Sequence, residues 1–265
     1  MDYYKLLTDK LVLLNDGSIV TDLICNPTKE QLQSLLEGSG NPEAEMRQVN
    51  SSAGLAVNFW RAFDLCHPEV TVEFEWKEVV PLKRGRPANI DLVVRSCHSV
   101  DFYESKFLEP YYSNNEIPRD SYLDESKYSL YTKNSVCSWI ELFKKSSEYQ
   151  YYNVTQLIRH LLAVYKHMSK KPKDYCDKNV NLISVIWDMP DSFAARFEEA
   201  VKEAFIQRRS IIRSEAEKCE KLLNEFIKEH LHLDNLKFKA IKYNDIISQI
   251  SDSMHSLKLR KQYFL

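Results

Sequence analysis

The spacing of apolar and polar positions divides the chain into a few well-marked elements. Leu55, Ala56, Phe59, Trp60 and Phe63 recur at helical spacing behind Ser51-Ser52, a good N-cap pair, and predict a core helix. Val70, Val72, Phe74 and Trp76 alternate with Thr71, Glu73, Glu75 and Lys77, which predicts a half-buried strand with Glu73 and Glu75 toward solvent. The stripe Val154, Leu157, Ile158, Leu161, Leu162 and Tyr165 predicts an amphipathic helix that stops before Pro172. Val180 to Trp187 is a nearly continuous branched apolar run, the pattern of a buried strand, and Asp188-Met189-Pro190 ends it.

Between the first strand and the amphipathic helix, Asn89-Ile90-Asp91-Leu92-Val93-Val94 and Val100-Asp101-Phe102-Tyr103-Glu104-Ser105-Lys106-Phe107 read as a hairpin. Period two puts Val100, Phe102, Glu104 and Lys106 on one face, with Asp91 on the neighbouring strand. A face that also carries Val100 and Phe102 is at least partly buried, and buried acids and lysines ask for a reason. Two carboxylates converging beside an ammonium make a divalent-cation site with a proton-handling group next to it. The plain alternative is an exposed strand face with a weak ion pair and Asp91 as a turn residue.

The flanking regions carry less information. Lys5 to Ile24, broken at Asn15-Asp16-Gly17-Ser18, reads as two short elements joined by a turn, a hairpin, and a helix follows at about 28–37. Glu43 and Glu45 read as a surface helix turn, and Asn58 as a side chain bonded to neighbouring backbone, with a catalytic role as its alternative. Phe107 to Gln150 reads as an irregular insertion with short helices. Its aromatics, among them Tyr111, Tyr112, Tyr122, Tyr128, Tyr131 and Trp139, suit packing before base stacking. A long helix is expected from about Asp191 to His230 with a break near Arg208-Arg209, then a strand from Leu236 to Tyr243, a final helix from near Asp245 and a solvated basic tail at Lys258-Leu259-Arg260-Lys261.

Composition narrows the class. At 265 residues, 44% hydrophobic and 12% aromatic, the chain can bury a sizeable core and reads as globular. A net charge of −2 does not suggest a generic nucleic-acid coat protein, whose counterion release needs clustered Lys and Arg, and it counts mildly against a nuclease. A local cluster does exist, because Lys83, Arg84 and Arg86 hang in the turn just before the Asp91 strand, either as a solvated charge run or as a phosphate clamp for substrate. Six widely spaced cysteines with no Cys-x-x-Cys pair read as reduced thiols. At the N-terminus charged residues interrupt every apolar run, so neither a signal peptide nor a membrane span is expected, and the expected compartment is the cytoplasm.

Asp91 followed by Glu104-Ser105-Lys106 resembles the bipartite signature of the PD-(D/E)XK, or restriction-endonuclease-like, nuclease superfamily. The order helix, strand, strand, strand, helix, strand over about residues 51–188 is similar to that family's core. One departure is that the motif's proline is not adjacent, since Ile90 precedes Asp91 and the nearest proline is Pro87. The resemblance implies an α/β fold with an α+β mixed sheet: a restriction-endonuclease-like αβββαβ core with helical insertions, an N-terminal extension over 1–50 and a helical C-terminal extension over 191–265, all in one domain.

It further implies metal-dependent phosphodiester hydrolysis by a DNA endonuclease or exonuclease of restriction, defence or repair type. Mg²⁺ is the implied cofactor, with Mn²⁺ able to substitute, held by Asp91, Glu104 and the Ser105 carbonyl, with Lys106 orienting the water. A helical wheel places Gln156 opposite the apolar stripe, with Arg159 and His160 at its sides, which alone says solvent. In nucleases of this type the polar residues of that helix reach the site, which makes Gln156 a fourth catalytic candidate, and Arg159 and His160 weaker ones; such nucleases often draw an extra metal ligand from their first helix, which is the alternative for Glu43 and Glu45. Nucleic acid is the implied partner, DNA in preference to RNA, with no membrane and with a homodimer as the expectation from enzymes that cut two strands. The alternative is a catalytically inactive nuclease-fold module that binds nucleic acid or protein, which the intact Asp91, Glu104 and Lys106 argue against.

Overall fold

The computed structural model describes residues 1–38, 43–80, 87–128 and 133–264. It opens on a helix, α1 (Tyr3–Leu14), started by Asp2, whose Oδ1 accepts the Lys5 N–H at 3.0 Å. The expected N-terminal hairpin is therefore overturned. Leu7 and Leu11 are buried at helical spacing, and of that hairpin only the turn exists: Asp16 and Gly17 take left-handed backbone at φ 55° and 80°. Next come α2 (Lys29–Gly38), α3 (Glu43–Met46) and the core helix α4 (Ser52–Cys66), capped by the Ser51 hydroxyl on the Gly54 N–H.

Strands β1 (Thr71–Val79), β2 (Pro87–Arg95) and β3 (Ser99–Lys106) form an antiparallel meander. The insertion holds α5 (Glu109–Tyr112), α6 (Asp120–Leu123) and α7 (Lys133–Lys145). Tyr111, Tyr122, Tyr128 and Trp139 are buried there, so these aromatics pack; Tyr112 is exposed and Tyr131 lies outside the described residues. Helix α8 (Val154–Lys170) then crosses back to β4 (Asn179–Ile186), which runs parallel to β3, as a crossover of this length permits.

The expected long helix divides earlier than its arginines suggest. A short α9 (Asp191–Ala194) precedes α10 (Glu199–Phe226), which passes through Arg208-Arg209 without a break. Charge alone does not interrupt a helix, and both arginines are tied down: Arg208 Nε donates to Pro110 O at 2.8 Å and Arg209 Nη2 to Asp191 Oδ1 at 2.6 Å. Strand β5 (Leu236–Lys242) lies parallel to β4 and completes a mixed sheet in the order β1-β2-β3-β4-β5. The final helix is two pieces, α11 (Tyr243–Ile246) and α12 (Ser253–Leu259), the second capped by Asp252. Lys258, Arg260 and Lys261 are exposed as expected, while Leu259 and Tyr263 beside them are buried.

Neighbouring strand residues point to opposite faces, and two adjacent aromatics of β3 show what covers each. Tyr103 meets Trp60 of α4 with ring centroids 4.2 Å apart. Phe102 meets Trp76 at 4.8 Å, and Trp76 meets His167 of α8 at 5.2 Å. Helices α4 and α8 thus hold the two faces of the meander, the mixed α/β arrangement of a restriction-endonuclease-like fold. Asn58 has the plain role expected of it: its Oδ1 accepts the Ile24 N–H at 2.7 Å and its Nδ2 donates to the Tyr263 hydroxyl at 2.9 Å. All six cysteines are free.

Candidate active site

The ladder between β2 and β3 runs from Arg95 and Val100 to Leu92 and Tyr103 and stops there. One step on, the Asp91 carboxylate does what backbone pairing would have done: its Oδ2 accepts the Ser105 N–H at 2.7 Å. The strands part at this point and a side chain bridges the gap. In an extended residue of an antiparallel pair the N–H and C=O face the same edge, so the Ser105 carbonyl lies on the Asp91 side as well. The Ser105 hydroxyl is engaged elsewhere, 2.6 Å from the Tyr243 hydroxyl.

Glu104 is 1% exposed, and both its oxygens meet polar groups. Lys106 Nζ donates to Oε1 at 2.6 Å and Gln156 Nε2 donates to the same oxygen at 2.7 Å. Oε2 lies 3.3 Å from His160 Nδ1, a close contact that does not form a hydrogen bond. The solvent placement that the helical wheel gives this side of α8 is overturned, because Arg159 and His160 are buried and Gln156 half-buried. The helix is enclosed nearly all round, and Gln156 and His160 face Glu104. Arg159 is not at the acids: its Nη2 donates to Pro87 O at 3.4 Å, at the head of β2.

Asp91, Glu104, Ser105, Lys106 and Gln156 line one cleft of about 220 Å³, which also receives Ala53 and Ala56 of α4. Two further acids line it that sequence reasoning does not assign to the site. Glu109 follows β3 and belongs by sequence to the insertion; its Oε2 accepts the Phe107 N–H at 2.9 Å. Glu75 of β1, expected toward solvent, is half-buried in the cleft wall. Lys83, Arg84 and Arg86 lie outside the described residues. Glu45 is exposed on α3 and is not among the residues that line the cleft.

The electrostatics are those of crowded acids with one cation. Burial, then the Glu104 carboxylate, push the Asp91 carboxyl well above its ordinary range, with Glu75 adding to the rise and Lys106 opposing it. Burial raises Glu104 too, against the pull of Lys106. Burial disfavours the Lys106 ammonium, but Glu104, Glu109 and Asp91 outweigh it and hold the group protonated beyond the ordinary lysine range. Burial, then Arg159 and Lys106, keep the His160 imidazole neutral, well below the usual histidine value.

This donor set suits a hard divalent cation. Carboxylates that raise each other's proton affinity are relieved by a cation between them, and Asp91, Glu104 and the Ser105 carbonyl are all oxygen donors. Among the described residues no three His, Cys, Asp or Glu side chains form a ready-made cage.

No curated protein and no solved structure matches the chain. A family model does, over residues 7–264, nearly the whole length. The chain belongs to the family it describes, the restriction endonucleases associating with ARP.

Proposed function

We propose that the protein is a divalent-cation-dependent nuclease of the PD-(D/E)XK type that hydrolyses phosphodiester bonds in DNA in preference to RNA. The observation that carries this reading is the meeting of Asp91, Glu104, Lys106 and Gln156 in one cleft, where β2 and β3 part. Asp91, Glu104 and the Ser105 carbonyl would hold Mg²⁺, or Mn²⁺ in its place. When bound, the ion supplies charge withdrawal from the scissile phosphate and a more acidic water.

The chain's own residues do the rest. Lys106 is charged and so cannot take a proton; it hydrogen-bonds the attacking water in place and offsets negative charge that develops on the phosphate oxygens. Gln156 and Lys106 together hold the Glu104 carboxylate in one orientation through Oε1. Lys83, Arg84 and Arg86, adjacent in sequence to β2, are the proposed phosphate contacts. Six free cysteines agree with a reducing compartment, for which we take the cytoplasm. No helix among the described residues is long and apolar enough to cross a membrane. The family's association with ARP extends in this reading to the present chain, and a homodimer would present two such clefts to a duplex.

The test is cleavage of linear and supercoiled DNA, and of RNA, with Mg²⁺ or Mn²⁺ and with chelator. Asp91→Ala and Lys106→Met should each lower the rate by about 10² or more. Cleavage by Asp91→Ala at the wild-type rate, or full activity in chelator, would overturn the reading.

A further inference from the structure

We propose that Glu75 is a positioning residue of this cleft: a left-handed backbone within β1 holds its carboxylate beside Asp91, and that added charge sets how tightly the site takes a divalent cation. The proposal rests on the nuclease reading and extends it to a residue outside the Asp91 and Glu104-Ser105-Lys106 pattern.

Three non-glycine residues among those described have positive φ. Asp16 is in a turn and His232 closes a helix, both ordinary places for it, but Glu75 has φ 57° in the middle of a strand. The strand is paired on both sides of it, Phe74 with Leu92 and Trp76 with Ile90. Glu75 therefore stands level with Asp91, where β1 meets the strand that bears the first acid.

Such a backbone is unfavourable for any residue with a Cβ and persists only where the surroundings enforce it, most often at functional sites. Its local consequence is visible along the strand. Glu73 and Lys77, two residues away on either side, are exposed, whereas Glu75 is half-buried and lines the cleft. Glu75 and Asp91 both line the cleft, from strands whose pairs on either side set the two residues level. The ligand class follows from the lining: the carboxylates of Asp91, Glu104, Glu109 and Glu75 offer the cleft hard oxygen donors, which a divalent cation takes and an anion does not. Glu75 acts through Asp91, the acid it stands level with across the β1–β2 pair.

Calorimetric titration with Mn²⁺, together with melting in chelator, tests the assignment. Glu75→Gln removes the charge and Glu75→Gly removes both charge and strain. Each should weaken Mn²⁺ binding about tenfold or more, as loss of a unit charge beside a cation site requires. Glu75→Gly should also melt higher than wild type in chelator, because glycine accepts the left-handed backbone. Glu75→Asp, which keeps the charge and tolerates that backbone, should retain most of the affinity. Glu73→Gln removes the same charge from an exposed position of the strand and should change nothing.

Wild-type affinity in Glu75→Gln, with binding abolished in Asp91→Ala, would overturn this proposal and leave the nuclease reading intact. Absence of Mn²⁺ binding in the wild type would overturn both.

Discussion

Gln156 Nε2 meets Glu104 Oε1 at 2.7 Å, and Lys106 Nζ meets the same oxygen at 2.6 Å. One carboxylate oxygen thus ties α8 to β3 across the candidate cleft. Gln156→Ala should lower cleavage about ten- to a hundredfold while costing about 1 kcal/mol of stability or less, since one hydrogen bond at a half-buried position is lost. Gln156→Glu should be worse, because it brings another negative charge to Glu104. Rates and melting curves measured side by side decide it, and an unchanged rate in Gln156→Ala removes Gln156 from the site.

His160 makes stability depend on pH with a definite sign. Its folded proton affinity lies well below the ordinary 6.5, so the unfolded chain takes up a proton first as the pH falls. The contribution is full above about pH 6.5 and is lost below it, by up to about 1.4 kcal/mol per pH unit. The raised carboxyls of Asp91 and Glu104 act oppositely, favouring the folded state at low pH and losing that contribution as the pH rises. His160→Asn isolates the histidine. In chelator, the wild type should lose more melting temperature than this variant between about pH 7.5 and pH 5.5, and equal losses would show that His160 is not held neutral.

What can be read from residues alone is whatever follows a regular period. Val100, Phe102, Glu104 and Lys106 share the alternation of a regular strand, so their juxtaposition with Asp91 is legible in the sequence. Gln156 is legible only through resemblance, because a wheel assumes that one side of a helix faces water and α8 is enclosed nearly all round. Glu75 is illegible for a different reason. Alternation presumes extended backbone at every step, and nothing in Phe74-Glu75-Trp76 announces a left-handed residue. The helix α1 escapes a reading by period because its leucines are dense enough to satisfy periods of both 2 and 3.6, and Asn15 to Ser18 then suggest a hairpin.

Glu215 connects the long C-terminal helix to the cleft. From α10 its carboxylate accepts three backbone N–H groups, Gln150 at 2.6 Å and Tyr151 and Tyr152 at 2.9 Å each. Asn153, the next residue, caps α8 by accepting the Gln156 N–H at 3.2 Å. Glu215→Ala should cost about 3 kcal/mol, the scale of leaving buried donors unmatched. It should also slow cleavage at temperatures where the variant is fully folded, since the start of α8 is freed. Chemical denaturation with single-turnover kinetics separates the two effects, and a destabilised variant with the wild-type rate would limit Glu215 to stability.

Gly54 pits helix propensity against packing. It lies in the first turn of α4, where alanine would ordinarily gain about 1 kcal/mol over glycine. A Cβ at this position, however, would collide with the Met46 carbonyl oxygen, which is backbone and cannot rotate away, and would crowd the Ser51 side chain. Overpacking of this kind costs about 1–3 kcal/mol, so the clash outweighs the propensity and Gly54→Ala should be destabilising. The shift it forces falls between α3 and the N-terminal turn of α4, where Ala53 and Ala56 line the cleft. A lower melting temperature together with weaker Mn²⁺ binding is expected of Gly54→Ala. A variant as stable as the wild type would mean that α3 yields without loss and that the close approach at Gly54 does not set the position of α4.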